Sequence, residues 1–128
     1  MTTIKDSQEL RIVPATPEDI EALFEVFVDV EADGGAEPRK DRPLRDVFQE
    51  GWIRDRAVYV AQEDGKTVGG YFLRTNFPAF AAHVAQGGYL VAREARRRGF
   101  GRALLEHSLR QASHDGYRAM MFNLVMAR

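Results

Sequence analysis

Apolar residues recur along this chain with two different periods, and each period predicts one kind of secondary structure. Alternating or β-branched runs bounded by turn residues predict strands at 10–13, 57–61, 67–73, 83–91 and 118–126. Apolar residues spaced three and four apart predict helices that begin near Thr16, Pro43 and Gly101. The predicted order is therefore β, α, α, β, β, β, α, β.

Local signals indicate where the longer helices begin and end. Thr16 followed by Pro17 and two acids is typical of a helix N-terminus, and Asp33-Gly34-Gly35 ends that helix. Gly116 stands where the cap of the last helix is expected. We expect the apolar stripes of these two helices to lie in the core: Ile20, Leu23, Phe24, Phe27, Leu104, Leu105 and Leu109.

The order of the strands predicts a mixed sheet. The Asp64-Gly65 tip between two β-rich runs predicts an antiparallel hairpin. The strand–helix–strand unit over 84–125 predicts a right-handed parallel crossover. Gly87-Gly88 inside a strand predicts either a bulge or a close backbone approach. The expected fold class is α/β (α+β), with a mixed, mostly antiparallel central sheet and helices on both faces.

Composition narrows the functional classes. The length of 128 residues predicts a single domain over 1–128, and the polar N-terminal segment 1–9 is expected to be frayed. The chain has no cysteine and a net charge of −1. Without cysteine or close ligand spacing, neither a disulfide nor a metal site is expected. The near-neutral charge and the lack of a long apolar run argue against nucleic-acid and membrane partners. We expect a cytoplasmic protein.

The strongest local signal is a basic turn between a strand and a helix. Residues 93–102 contain one acid, Glu94, and five arginines: Arg93, Arg96, Arg97, Arg98 and Arg102. A helix N-terminus that combines free backbone N–H groups with guanidinium groups is suited to an anion such as a phosphate. The alternative is an ordinary solvated loop, and a nucleic-acid-binding turn is disfavoured by the overall charge.

The turn reads Arg96-Arg97-Arg98-Gly99-Phe100-Gly101, and in this position the chain resembles the GNAT superfamily of N-acetyltransferases. The resemblance implies an acyl-CoA N-acyltransferase-like fold and acetyl-CoA as cosubstrate, with the pyrophosphate against the amides of the turn. The preceding strand would pair with the pantetheine arm. The implied cofactor-binding residues are Leu90, Val91, Arg96, Arg97, Arg98, Gly99, Phe100, Gly101, Arg102 and Ala103.

The resemblance also implies direct acetyl transfer to a primary amine on a small molecule or peptide. It places a carboxylate base near Ala85, on the strand that faces the acceptor, and Ala85 cannot take a proton. His83, two residues earlier on the same face, is the candidate catalytic base, and the alternative is a solvated strand-entry residue. His107 and His114 are expected to be surface residues of the last helix.

The acceptor side is less clearly marked by the sequence. Glu31, Asp33 and Glu37 lie in the region that the resemblance places beside the acceptor, where each is either an amine-attracting group or a solvated acid. Phe48 and Trp52 are expected to pack the second helix. The alternative function is an acyl-CoA-binding or interaction module of the same fold that has lost catalysis.

The resemblance implies a further helix and two more strands after strand 118–126, and no residues here correspond to them. That part usually supplies an Asn near the CoA and a Tyr that protonates the leaving thiolate; Asn123 is a candidate for the first role. An apolar last strand would then have an exposed edge. Three explanations are open: the chain is a fragment, another element fills the space, or a homodimer covers the edge. A stable monomer in size-exclusion chromatography would count against the homodimer.

Overall fold

The computed structural model describes residues 10–33, 42–75 and 84–123. Five strands form one sheet in chain order: β1 (Leu10–Pro14), β2 (Ala57–Glu63), β3 (Lys66–Thr75), β4 (Val84–Val91) and β5 (Ala119–Asn123). The helices are α1 (Pro17–Asp33), α2 (Leu44–Phe48), which runs into a π-helical turn (Gln49–Ile53), and α3 (Phe100–His114). The predicted order of elements is confirmed. No helix in the described ranges is long and apolar enough to cross a membrane.

The pairing of the strands confirms the predicted mixed sheet. Strands β1 to β4 are antiparallel neighbours, and β5 runs parallel to β4 after the α3 crossover. The β2–β3 hairpin turns at Asp64 and Gly65, whose φ values of 51° and 80° match the left-handed geometry of tight hairpin turns. A register shift between Ala61 and Gln62 is a bulge that the sequence did not predict.

Neighbouring residues of β3 show that the helices cover opposite faces. Gly70 faces α1, because a Cβ built there would lie 3.1 Å from a methyl group of Leu23. Tyr71 points to the other face, where its hydroxyl contacts His107 of α3. The expected placement of helices on both faces is therefore confirmed.

The predicted start of α1 and the predicted end of α3 are also confirmed, whereas Gly34 and Gly35, predicted to end α1, lie outside the described residues. The Asp19 N–H donates to Thr16 Oγ1 at 3.2 Å, while the Thr16 N–H donates to Asp19 Oδ2 at 3.0 Å. This reciprocal pair satisfies backbone donors that the first turn of α1 would leave free. After α3, Gly116 has a φ of 93°, and the Tyr117 N–H donates to the Ala112 carbonyl oxygen at 3.0 Å.

Two packing expectations need correction. The register of β4 with β3 is continuous across Gly87 and Gly88, so the bulge alternative is wrong. The Phe72 ring instead lies so close to the backbone at Gly88 that a side chain there would overlap it. Leu109, expected in the core, is 44% exposed. It lies about 100° around α3 from Ser108, and the buried stripe consists of Phe100, Leu104, Ser108 and Ala112.

Candidate functional site

The basic turn that follows β4 contains two residues with a positive φ angle. The Ala92 N–H donates to the Val68 carbonyl oxygen at 2.7 Å, which holds the end of β4 against β3. Arg97 and Gly99 then take φ values of 66° and 81°. The left-handed region is open to glycine but unfavourable for a side chain such as that of Arg97. The turn is thus an unusual conformation directly before α3.

The N-terminus of α3 has open donors. Gly99 is the N-cap residue, and no side chain hydrogen-bonds the cap in the described part of the chain. Its carbonyl oxygen accepts from the Ala103 N–H at 3.0 Å, so the amides of residues 100–102 precede the first helical hydrogen bond. Gly101 and Arg102 are exposed. These free N–H groups, together with the helix dipole, form a favourable position for an anion.

The arginines of the turn do different things. Arg98 Nη1 donates to Glu63 Oε1 at 2.8 Å, and Arg98 Nη2 bonds the other carboxylate oxygen. The Arg98 guanidinium also lies 4.8 Å from the ring centroid of Phe100. Arg98 therefore fastens the turn to the end of β2. Arg97 is exposed, and Arg102 is 84% exposed beside Glu106 at 3.5 Å. These two can meet an anion from solvent more readily than Arg98 can.

A cavity of about 220 Å³ lies on the face of β4 that α1 and α2 cover. Trp52 and Phe72 form part of its wall with ring centroids 4.9 Å apart in an edge-on contact, and Phe48 stacks behind Trp52 at 6.4 Å. The expected packing of Phe48 and Trp52 is confirmed. The cavity is lined by Phe27, Val30, Glu31, Val47, Gly51, Trp52, Phe72, Gly88, Tyr89 and Leu90.

The end of β4 connects this cavity with the basic turn. Leu90 is buried and lines the cavity. The side chain of its neighbour Val91 lies 3.8 Å from where a Cβ of Gly101 would stand. The pairing of this strand with pantetheine stays a prediction.

Most predicted cofactor residues come together at the end of α3. Arg98, Gly99, Phe100 and Ala103 border a broader depression of about 440 Å³ between α3 and β1. Arg96 is half-buried in the turn.

On the catalytic side of the site, two candidate residues, His83 and Glu37, lie outside the described residues. Ala85 is fully buried and pairs with Thr75, whose hydroxyl bonds Tyr117 on the α3 side. It therefore faces away from the cavity, contrary to the expected acceptor-facing position.

The expectation that His107 is a surface residue is wrong. Its Nδ1 lies 2.7 Å from the hydroxyl oxygen of fully buried Tyr71. Burial lowers the pKa of His107, and the nearby Arg110 charge adds to this effect. Burial also raises the pKa of Tyr71. The sequence contained a weak indication of this position, because His107 directly precedes Ser108 of the buried stripe. Its hydrogen-bond partner Tyr71 lies far away in the chain and could not be identified from the sequence.

A second polar pair completes this layer between α3 and the sheet. The Tyr89 and Ser108 hydroxyl oxygens lie 2.7 Å apart, and Ser108 also donates to the Leu105 carbonyl oxygen at 2.7 Å. Tyr59 stacks on Tyr71 with ring centroids 4.8 Å apart. The polar groups of the two pairs hydrogen-bond to one another on the face of the sheet opposite the cavity. We therefore interpret them as stabilising the packing of α3 on the sheet.

Comparison with known proteins identifies the chain's relatives. Residues 20–127 match the model of the acetyltransferase (GNAT) family. The structure of a GCN5-related N-acetyltransferase from Kribbella flavida superposes with a TM-score of 0.77 at 26% identity, covering 89% of this chain and 71% of that one. A ribosomal-protein-alanine N-acetyltransferase from Brucella melitensis gives 0.70 at 26% identity, covering 88% and 72%.

A curated relative matches more locally. The N-acetyltransferase aca1 of Schizosaccharomyces pombe is 36% identical over 69 residues, which is 52% of this chain and 33% of the relative. The match thus spans about a third of the length of that protein.

Proposed function

Because the chain belongs to the GNAT family of acetyltransferases, we propose that it transfers an acetyl group from acetyl-CoA directly to a primary amine. The observations that carry this proposal are the uncapped N-terminus of α3, which follows β4 in the chain, and the apolar cavity that Leu90 of β4 lines. The helix end offers donors for a pyrophosphate, and the cavity offers room for an acceptor.

The residues of the turn fit a pyrophosphate. Gly99 adopts its positive φ in open space, so no side chain shields the amides behind it. Gly101 is exposed at the start of the helix, where a side chain would reduce access to the backbone. Arg97 and Arg102 add positive potential near the site, while Arg98 holds the turn in place through Glu63.

Acetyl-CoA supplies a thioester, and the acceptor amine attacks its carbonyl carbon. The C–N bond forms as the C–S bond breaks; the thiolate leaves, and the amine gives up a proton to a base or to water. His83 is the proposed base, and because Ala85 on its predicted strand face points away from the cavity, we propose that the proton reaches it through water. A backbone N–H of β4 near Leu90 is proposed to polarise the carbonyl group.

Calorimetry with acetyl-CoA and with a truncated N-acetylcysteamine thioester tests the binding step. We expect saturable binding of acetyl-CoA and a loss of at least about tenfold in affinity for the thioester without pyrophosphate, since charge-assisted contacts to the turn are lost. Gly101→Ala should weaken acetyl-CoA binding without lowering stability, because the added Cβ meets the fold only at ordinary contact distance.

No binding of acetyl-CoA to the folded protein would refute the assignment. Binding without acetyl transfer to any member of an amine panel would instead support a CoA-binding module that has lost catalysis.

A further inference from the structure

The cavity beside β4 indicates what kind of amine this site would accept. Resting on the proposed function, we propose that the acceptor is a small primary monoamine that carries one compact apolar group, of about the size of a single aromatic ring. The apolar group would lie in the cavity, and the ammonium group would lie at the Glu31 carboxylate. The argument rests on the cavity's wall, size and charge.

The wall of the cavity is apolar and well packed. Trp52 is held between the Phe48 and Phe72 rings, at centroid distances of 6.4 and 4.9 Å. The π-helical turn that carries Trp52 is closed by Arg56, whose Nη1 donates to the carbonyl oxygens of Glu50 and Arg54 at 2.9 and 2.7 Å. A wall assembled in this way is preorganised for an apolar ligand.

The size of the cavity suits one ring. A dry apolar cavity of about 150 Å³ is enough to hold benzene, and this cavity measures about 220 Å³. The remaining volume suits a short linker between ring and nitrogen. Further hydroxyl or ammonium groups would lose their hydration against Phe27, Trp52 and Phe72 without compensating partners. Polyamines and sugar amines therefore fit this cavity poorly.

The charge of the cavity favours a single cation. Glu31 is the only charged residue that lines it in the described part of the chain. It lies in the last turn of α1, where the helix dipole is negative and no basic residue is present. Within residues 10–33, 42–75 and 84–123, no hydrogen bond or ion pair engages the Glu31 carboxylate. A primary ammonium group complements this position.

Equilibrium binding of amines to the CoA-saturated protein tests the inference without requiring turnover. We expect 2-phenylethylamine to bind at least about tenfold more tightly than ethanolamine or putrescine, because only its ring fills the cavity. In acetyl transfer, the same preference should appear in kcat/KM. Tighter binding of ethanolamine or putrescine, or no preference among the three, would overturn the inference.

Two variants separate the roles of charge and volume. Glu31→Gln should weaken 2-phenylethylamine binding by about tenfold through loss of the charged partner. Glu25→Gln is the matched control, because Glu25 is an exposed acid on the same helix away from the cavity. Val47→Phe should fill the cavity and remove the preference for the ring.

Equal effects of the two glutamine variants would contradict the role of Glu31. A Val47→Phe variant that folds, as judged by its thermal midpoint, and keeps the preference would contradict the cavity. If acetyl-CoA fails to bind, the proposed acetyl transfer is refuted. The preference of the cavity for an apolar monoamine is tested separately, because amine binding can be measured on the protein with or without CoA.

Discussion

At the level of single residues, glycine positions that look alike in the sequence have different structural requirements. Gly65 and Gly99 both hold a positive φ, at 80° and 81°, with open space where a Cβ would stand. Gly88 has no such conformation but lies under the Phe72 ring. The sequence motif predicted a cofactor-binding role for Gly99, and the Gly87-Gly88 doublet predicted either a bulge or a close backbone approach at Gly88. The positive φ of Arg97 had no sequence signal, because arginine rarely adopts it.

This contrast predicts the outcome of a pair of alanine substitutions. Gly65→Ala and Gly99→Ala should each lower the free energy of unfolding by about 1–2 kcal/mol, because a side chain is unfavourable in the left-handed region. Only Gly99→Ala should also weaken acetyl-CoA binding, since Gly65 lies outside the turn, in the neighbouring β2–β3 hairpin that Glu63 joins to Arg98. Urea unfolding and calorimetry measure the two effects. Equal loss of binding in both variants would indicate a global cause and contradict a local role for Gly99.

At the level of secondary structure, local capping was predictable and the details around α2 were not. Thr16, Pro17 and Gly116 act within a few residues of the chain, so their roles could be read from the sequence. The π-helical turn after α2 could not, because it depends on Trp52 meeting Phe72 of β3. The exposure of Leu109 likewise depends on how α3 is rotated against the sheet.

The cap of α1 allows a test of the local interpretation. Thr16→Ala removes the acceptor for the Asp19 N–H, so the free energy of unfolding should fall by about 1 kcal/mol. Thr16→Ser keeps a hydroxyl oxygen at the same place and should retain most of the stability. Urea denaturation of the three proteins measures the difference. Equal stability of the alanine and serine variants would show that the hydrogen bond contributes nothing.

At the level of the whole molecule, the sheet separates two layers with different chemistry. The face toward α1 and α2 has the apolar cavity, and the face toward α3 has the satisfied tyrosine, histidine and serine pairs. The strand order and the parallel crossover were predicted because hairpins and crossovers follow from the order of elements. Which residues meet across the sheet was decided by register, which a single sequence does not display.

The half-buried histidine His107 should make stability depend on pH. Because burial lowers the pKa of His107, the unfolded chain takes up its proton at a higher pH than the folded protein does. The resulting contribution is fully present above about pH 6.5, the ordinary histidine pKa, and is lost as the pH falls through the lowered folded value.

His107→Asn should therefore flatten the loss of stability between about pH 6.5 and 5 relative to the unmodified protein. The exposed His114, changed to Asn, is the control on the same helix. Urea unfolding across this pH range measures the slopes. Parallel curves for the unmodified protein and His107→Asn would contradict a pKa of His107 lowered by burial.

The sequence by itself determined the order of elements, the caps of α1 and α3, the mixed sheet and the arginine–glycine turn, because each depends on residues near one another in the chain. Only the tertiary structure decided that Arg98 is engaged by Glu63, that His107 is half-buried at Tyr71, and that Glu31 lines a cavity with Trp52 and Phe72. These contacts join residues from separate elements, and the register and helix rotation that bring them together are set by packing of the whole core.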